Sequence, residues 1–192
     1  MKHFLKKSVC AAALLCAVSA TPALAQTVTV PVNATISNTV TATATQGMNY
    51  GTVVASTDGT NAVTYLLGSD GTLTPGTAGG TSVASQVDAT GLQPGLVTIT
   101  NAADGSTLNV TIDSVVDPTD GSNSFATSLF TYRRNSEITE QSATVGTAFT
   151  MTYADNAGAG STLAIGATLT GAGATTYDDG AYVGSFEVTV AY

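Results

Sequence analysis

Carboxylates make up almost the whole chemical inventory of this chain. Glu137, Glu140, Asp178, Asp179 and Glu187 are the residues from which a glycosidase-type pair could be drawn. Such a pair needs one carboxyl as acid and a second as base or nucleophile across a sugar bond. Asp117, Asp120 and Asn123 approach the spacing of a calcium loop without the EF-hand order of ligands. Turn chemistry accounts for these three residues equally well.

The other side chains that catalysis draws on lie within the first 25 residues. They are His3, Cys10, Cys16, Lys2, Lys6 and Lys7. That stretch has a basic start, an apolar run from Ser8 to Ala20, and Ala23 and Ala25 in small-x-small spacing. It reads as a secretory signal (1–25) cleaved after Ala25, with an apolar run too short to span a membrane. The mature chain, Gln26 to Tyr192, then has no Cys, no His and no Lys. A Ser-His-Asp or Cys-His nucleophile system is excluded, and so are a lysine base and a zinc site. The glycine-rich "GAGSTLAIG" (158–166) has no strand-to-helix context for a phosphate loop. There is no Trp to serve as a sugar platform. The expectation is a protein that is not an enzyme and uses no cofactor and no metal.

Thirteen Asp and Glu against two Arg give the mature chain a net charge of −11. That balance repels nucleic acid and anionic membrane surfaces. Arg133 and Arg134 stand in "YRRNSEITE", where Glu137 and Glu140 neutralise them locally. Alternatively, two cations in an anionic chain mark a contact with a second acidic copy. The chain passes into an oxidising compartment without a disulfide, yet is long enough to bury one core.

The elements that must position these groups are strands. Val28, Val30, Val32, Ala34, Ile36, Val40, Ala42 and Ala44 alternate with Thr, Ser and Asn, broken at Asn38. Period-two alternation means a strand with one buried face, but this run is about three times the usual strand length. Further alternating stretches occupy 50–55, 62–67, 95–101, 106–116, 128–133, 148–153, 161–170 and 181–192. Five Asp-Gly pairs, at 58–59, 70–71, 104–105, 120–121 and 179–180, supply turn chemistry between them. The pattern predicts an all-β sandwich in a single domain (38–192), with a long loop or insertion at about 68–94. At the C-terminus, Gly180, Tyr182, Gly184, Phe186, Val188, Val190 and Tyr192 share one face, which predicts a strand central to the core.

"GAYVGSFEVTVAY" at the end of the chain, "MNYGTV" (48–53) and the N-terminal alternating strand resemble a family of small secreted bacterial proteins of unassigned function. Gly180, Tyr182, Gly184, Val188, Val190 and Tyr192 match its closing pattern. That family looks like a distant relative of spore-coat-U and other chaperone–usher pilins. The resemblance covers both ends of the mature chain and little of 60–160. It implies an immunoglobulin-like sandwich that lacks one strand. A periplasmic chaperone first fills the gap, an outer-membrane usher follows, and the N-terminal extension of the next subunit then replaces the chaperone's strand. Many such pilins hold a disulfide, which this chain cannot form.

On that resemblance the extension 26–37 is a donor strand, with Val28, Val30, Val32, Ala34 and Ile36 as its contact residues. The alternative keeps the whole run inside one molecule as a long first strand that bends near Asn38. The functional expectation is a noncatalytic subunit of a pilus-like fibre or surface layer, a homopolymer at the cell surface. A monomeric adhesin would instead bind its ligand through 68–94 or around Tyr132–Arg134. A small outer-membrane barrel comes third, because no Trp and only twelve Phe plus Tyr leave little for aromatic girdles.

Overall fold

A computed structural model describes Pro31, residues 39–135 and residues 137–192 of the chain. The expected donor residues Val28, Val30, Val32, Ala34 and Ile36, with the break at Asn38, lie outside the described residues. Among the described residues, twelve strands and one short 3-10 turn (Asn156–Gly158) make up the regular structure. The strands are β1 (Thr41–Gln46), β2 (Thr52–Ser56), β3 (Val63–Leu67), β4 (Leu73–Thr77), β5 (Val83–Asp88) and β6 (Gly95–Thr100). They continue with β7 (Thr107–Thr119), β8 (Ala126–Arg134), β9 (Gln141–Ala143), β10 (Phe149–Thr152), β11 (Ser161–Gly171) and β12 (Val183–Ala191). Each alternating stretch foreseen from 50 to 192 overlaps one of them. Thr, Val, Ile and Tyr populate these strands because branched and aromatic side chains suit a pleated surface.

All pairings are antiparallel. The largest sheet centres on β11, which carries β8 on one edge and β6 and β3 in succession on the other. β1 flanks β6, β4 flanks β3, and β9 flanks β8. Two smaller sheets, β10-β7-β12 and β2-β5, complete the fold. Val97, Ile99, Phe130, Tyr132, Leu163 and Ile165 of the large sheet pack on Leu108, Val110, Ile112 and Met151 of the β7 sheet. A second cluster joins Val63, Tyr65 and Leu169 to Phe125 and is covered by Val53, Ala55 and Ala84 of β2 and β5. Among the described residues this is a sandwich with open sheet edges.

The β7–β8 hairpin shows how the chain changes sheets. Its base is held by the Thr119–Ser124 bridge and by the Phe125 amide donating to the Pro118 carbonyl. Further on, each strand bulges, and Ser114 (φ 49°) and Leu129 (φ 48°) occupy the bulges with left-handed backbone. An extra residue bends a strand, so each arm can leave for its own sheet.

Two expectations are corrected here. The segment 68–94 is not a long loop, since it contains β4 and β5. Its Gly, Ser and Thr composition hid two short flanking strands, which zip onto β3 and β2 and add Leu73 and Ala84 to the second cluster. The turn chemistry, by contrast, was legible: Gly59, Gly71, Gly105 and Gly121 all take positive φ after their aspartates, though Gly180 does not. The C-terminal strand is also not central. β12 pairs with β7 on one edge only, among the described residues, and is at most half-buried along its length.

Candidate functional site

Most of the carboxylates serve turns. Asp58 accepts from the amides of Thr60, Asn61 and Thr81 and from the Asn61 side chain, tying the turn after β2 to the one before β5. Those hydrogen bonds, led by the Asn61 amide, hold its carboxyl well below the usual range. Asp70, Asp88 and Asp120 are lowered chiefly by the amides of Thr72, Thr90 and Asn123 respectively. Asp117 accepts from the Thr127 amide. The residues that approached calcium-loop spacing are therefore occupied with backbone. Glu137 pairs with Arg134 at 3.1 Å. Glu187 lies on the outer face of β12, directly opposite Asp113 of β7.

One carboxylate pair does converge, and it is not a pair that sequence spacing would select. A methyl group on Gly68 would meet Asp70 Oδ1 at 2.7 Å and Glu140 Oε1 at 3.4 Å. Glu140 accepts from the Ser69 hydroxyl and the Thr131 hydroxyl, each at 2.8 Å. Burial pushes the Glu140 carboxyl up, but the hydrogen bonds from Ser69 and Thr131 outweigh it and the net shift is downward. A glycosidase needs one carboxyl kept protonated. Here both carboxyls are lowered, and the arrangement clamps the 68–72 turn to β8.

Arg133 and Arg134 are likewise engaged within the molecule. Arg134 Nη1 donates to the Thr150 carbonyl of β10, linking the two facing sheets, and Arg133 lowers Asp70. They lie on β8, which β11 and β6 separate from β1.

The unusual feature is at the other side of the sandwich. A free strand edge is a template for another chain, and proteins blunt it with short strands, proline or charge. β9 has three residues, β10 has four, and β4 has five including Pro75. β1 has six residues with neither proline nor charge, and β12 has nine with a single charge, Glu187. These two edges, β1 with neither guard and β12 with one charge, border one seam. Val40, ahead of β1, and Val190 of β12 pack on the same core cluster. Met48 and Phe186 both come up against Gly95. Between them lies a shallow cleft of about 600 Å³ lined by Thr39, Val40, Val190, Ala191 and Tyr192.

Among the described residues, the seam is incompletely covered. Ala42 and Ala44 lie opposite Ile99 and Val97 and so share their core-facing side. Ile99 is fully buried, yet both alanines are exposed. Tyr192 closes one end, its hydroxyl accepting from the Ala103 amide at 3.1 Å.

The C-terminal residues divide their work along β12 and its approach. Tyr182 packs edge-on to Phe125 at 5.1 Å in the second cluster. Gly184 is required by close approach, since a Cβ there would lie 2.5 Å from the Val116 carbonyl oxygen. Phe186 packs edge-on to Phe130 at 5.3 Å, and Val188 and Val190 line the first cluster. Gly180 is exposed and open to solvent. The apolar face read from alternation is real, but it belongs to an edge. A spacing pattern records which side of a strand is apolar and carries nothing about how many neighbours flank it.

No family model matches the chain, and no curated protein matches it.

Proposed function

We propose that this protein is a noncatalytic, secreted structural subunit that polymerises by donating its N-terminal strand to a neighbour. The sandwich is then immunoglobulin-like with one position unfilled, and the seam between β1 and β12 is that position. The observation that carries the reading is the exposure of Ala42 and Ala44 on a core-facing side of β1, an edge strand with neither proline nor charge.

The segment 26–37 suits the seam chemically. It is uncharged in its side chains and places Val28, Val30, Val32, Ala34 and Ile36 on one face. Burying its three valines and the isoleucine would contribute about 6–12 kcal/mol before entropy costs. Adding an incoming strand to a sheet edge is ordinary β-augmentation. Small alanines on β1 leave room for larger incoming side chains. The partners are further copies of this chain, with a periplasmic chaperone to cover the seam in transit, an outer-membrane usher, and the cell surface as destination.

Deletion of Gln26–Ser37 is the direct test. The truncated protein is expected to remain a folded monomer by size exclusion and to show no fibres by electron microscopy. Fibres from the truncated chain would overturn the proposal.

A further inference from the structure

The seam offers two edges, β1 and β12, and Pro31 decides how a strand can use them. In a strand, a residue directs its own N–H and C=O to one side and the next residue directs its pair to the other. The residues whose side chains share a face therefore also share a hydrogen-bonding edge. In the segment Val28–Ile36, the even positions carry the apolar face and a complete set of N–H donors. The odd positions, Thr29, Pro31, Asn33 and Thr35, carry the other edge, and Pro31 removes a donor from its middle.

We infer that the segment Val28–Ile36 of a second copy bonds through its even-numbered edge to β12 and turns its proline-interrupted edge toward β1. This rests on the donor-strand reading above. Length selects β12 over β1: the segment has nine residues, as β12 does, whereas β1 has six. Both register shifts against β12 come from extra residues on β7, so β12 itself is unbulged. Its outer edge presents an even ladder. The side that meets β1 then packs without a ladder, so Pro31 costs nothing there.

A proline scan by parity in the full-length mature chain tests this. Thr29→Pro and Asn33→Pro add a proline to the edge that already has one, and polymer is expected at close to the wild-type amount. Val30→Pro and Val32→Pro break the intact edge, and subunit association is expected to weaken roughly hundredfold. Val30→Ala and Val32→Ala control for the lost side chain and are expected to stay polymeric. Circular dichroism on each variant establishes that the sandwich is folded. If odd and even prolines abolish polymer equally, the segment is bonded on both edges and the inference falls while the donor-strand reading stands. If neither set matters, backbone pairing is not the link and the inference falls as well. A wild-type chain that never polymerises would remove the donor-strand reading itself.

Discussion

β11 and β1 are built from much the same residues and meet opposite fates. β11 reads STLAIGATLTG and β1 reads TATATQ, each alternating small or apolar residues with Thr. β11 has neighbours on both edges, and most of its side chains are buried. β1 has β6 on one edge, and all of its residues except Gln46 are exposed. Composition and period do not separate the two. Burial on a sheet is set by what covers a strand and what flanks it.

The contrast can be broken with a pair of substitutions. Ile165→Ala in β11 is expected to cost on the order of 3 kcal/mol, read as a lowered urea midpoint, because the cavity it leaves is enclosed. Ala44→Ser in β1 faces the same core side but is exposed, and is expected to stay within about 0.5 kcal/mol of wild type. Equal costs would mean that the seam is already covered.

Titration compares turns with core. Asp58, Asp70, Asp88, Asp120 and Glu140 have folded pKa values below their unfolded ones. Their contribution is therefore complete above about pH 4 and is lost as pH falls through the folded values. Burial raises Tyr50, and it raises Tyr65 to about 12. Their contribution is complete below about pH 10 and is lost above it, as the unfolded phenols ionise first. Thermal melts should give a plateau across neutral pH that falls off on both sides. A maximum near pH 3 would contradict the roles given to the aspartates.

The smallest expected effect sharpens the view of β12. Asp113 and Glu187 are like charges directly opposite one another, an arrangement that destabilises a strand pair. Glu187→Thr should raise stability by roughly 0.2–1 kcal/mol in differential scanning calorimetry. A loss would mean that Glu187 meets a cation outside the described residues.

Much of the fold could be read without coordinates. The alternation from Val63 to Leu67, from Gly95 to Thr100 and through 161–170 marked strands that exist, and Asp-Gly pairs marked turns that use positive φ. β4 and β5 escaped because Leu73–Thr77 and Val83–Asp88 are short, and Pro75, Gly76, Ser85 and Gln86 interrupt their alternation. The seam escaped for another reason. Ala42 and Ala44 were legible as an inward face, but their lack of cover was not.

The sequence alone determined the class of molecule. With Thr and Val alternating between Asp-Gly turns, it specifies an all-β sandwich. Tertiary structure decided which strands are central and which lie at edges, which carboxylates converge, and where the sandwich stays open. Period-two alternation is a property of one strand and survives any rearrangement of its neighbours. Edge, cover and seam are relations between strands distant in the chain, and they become definite only once all of them are packed.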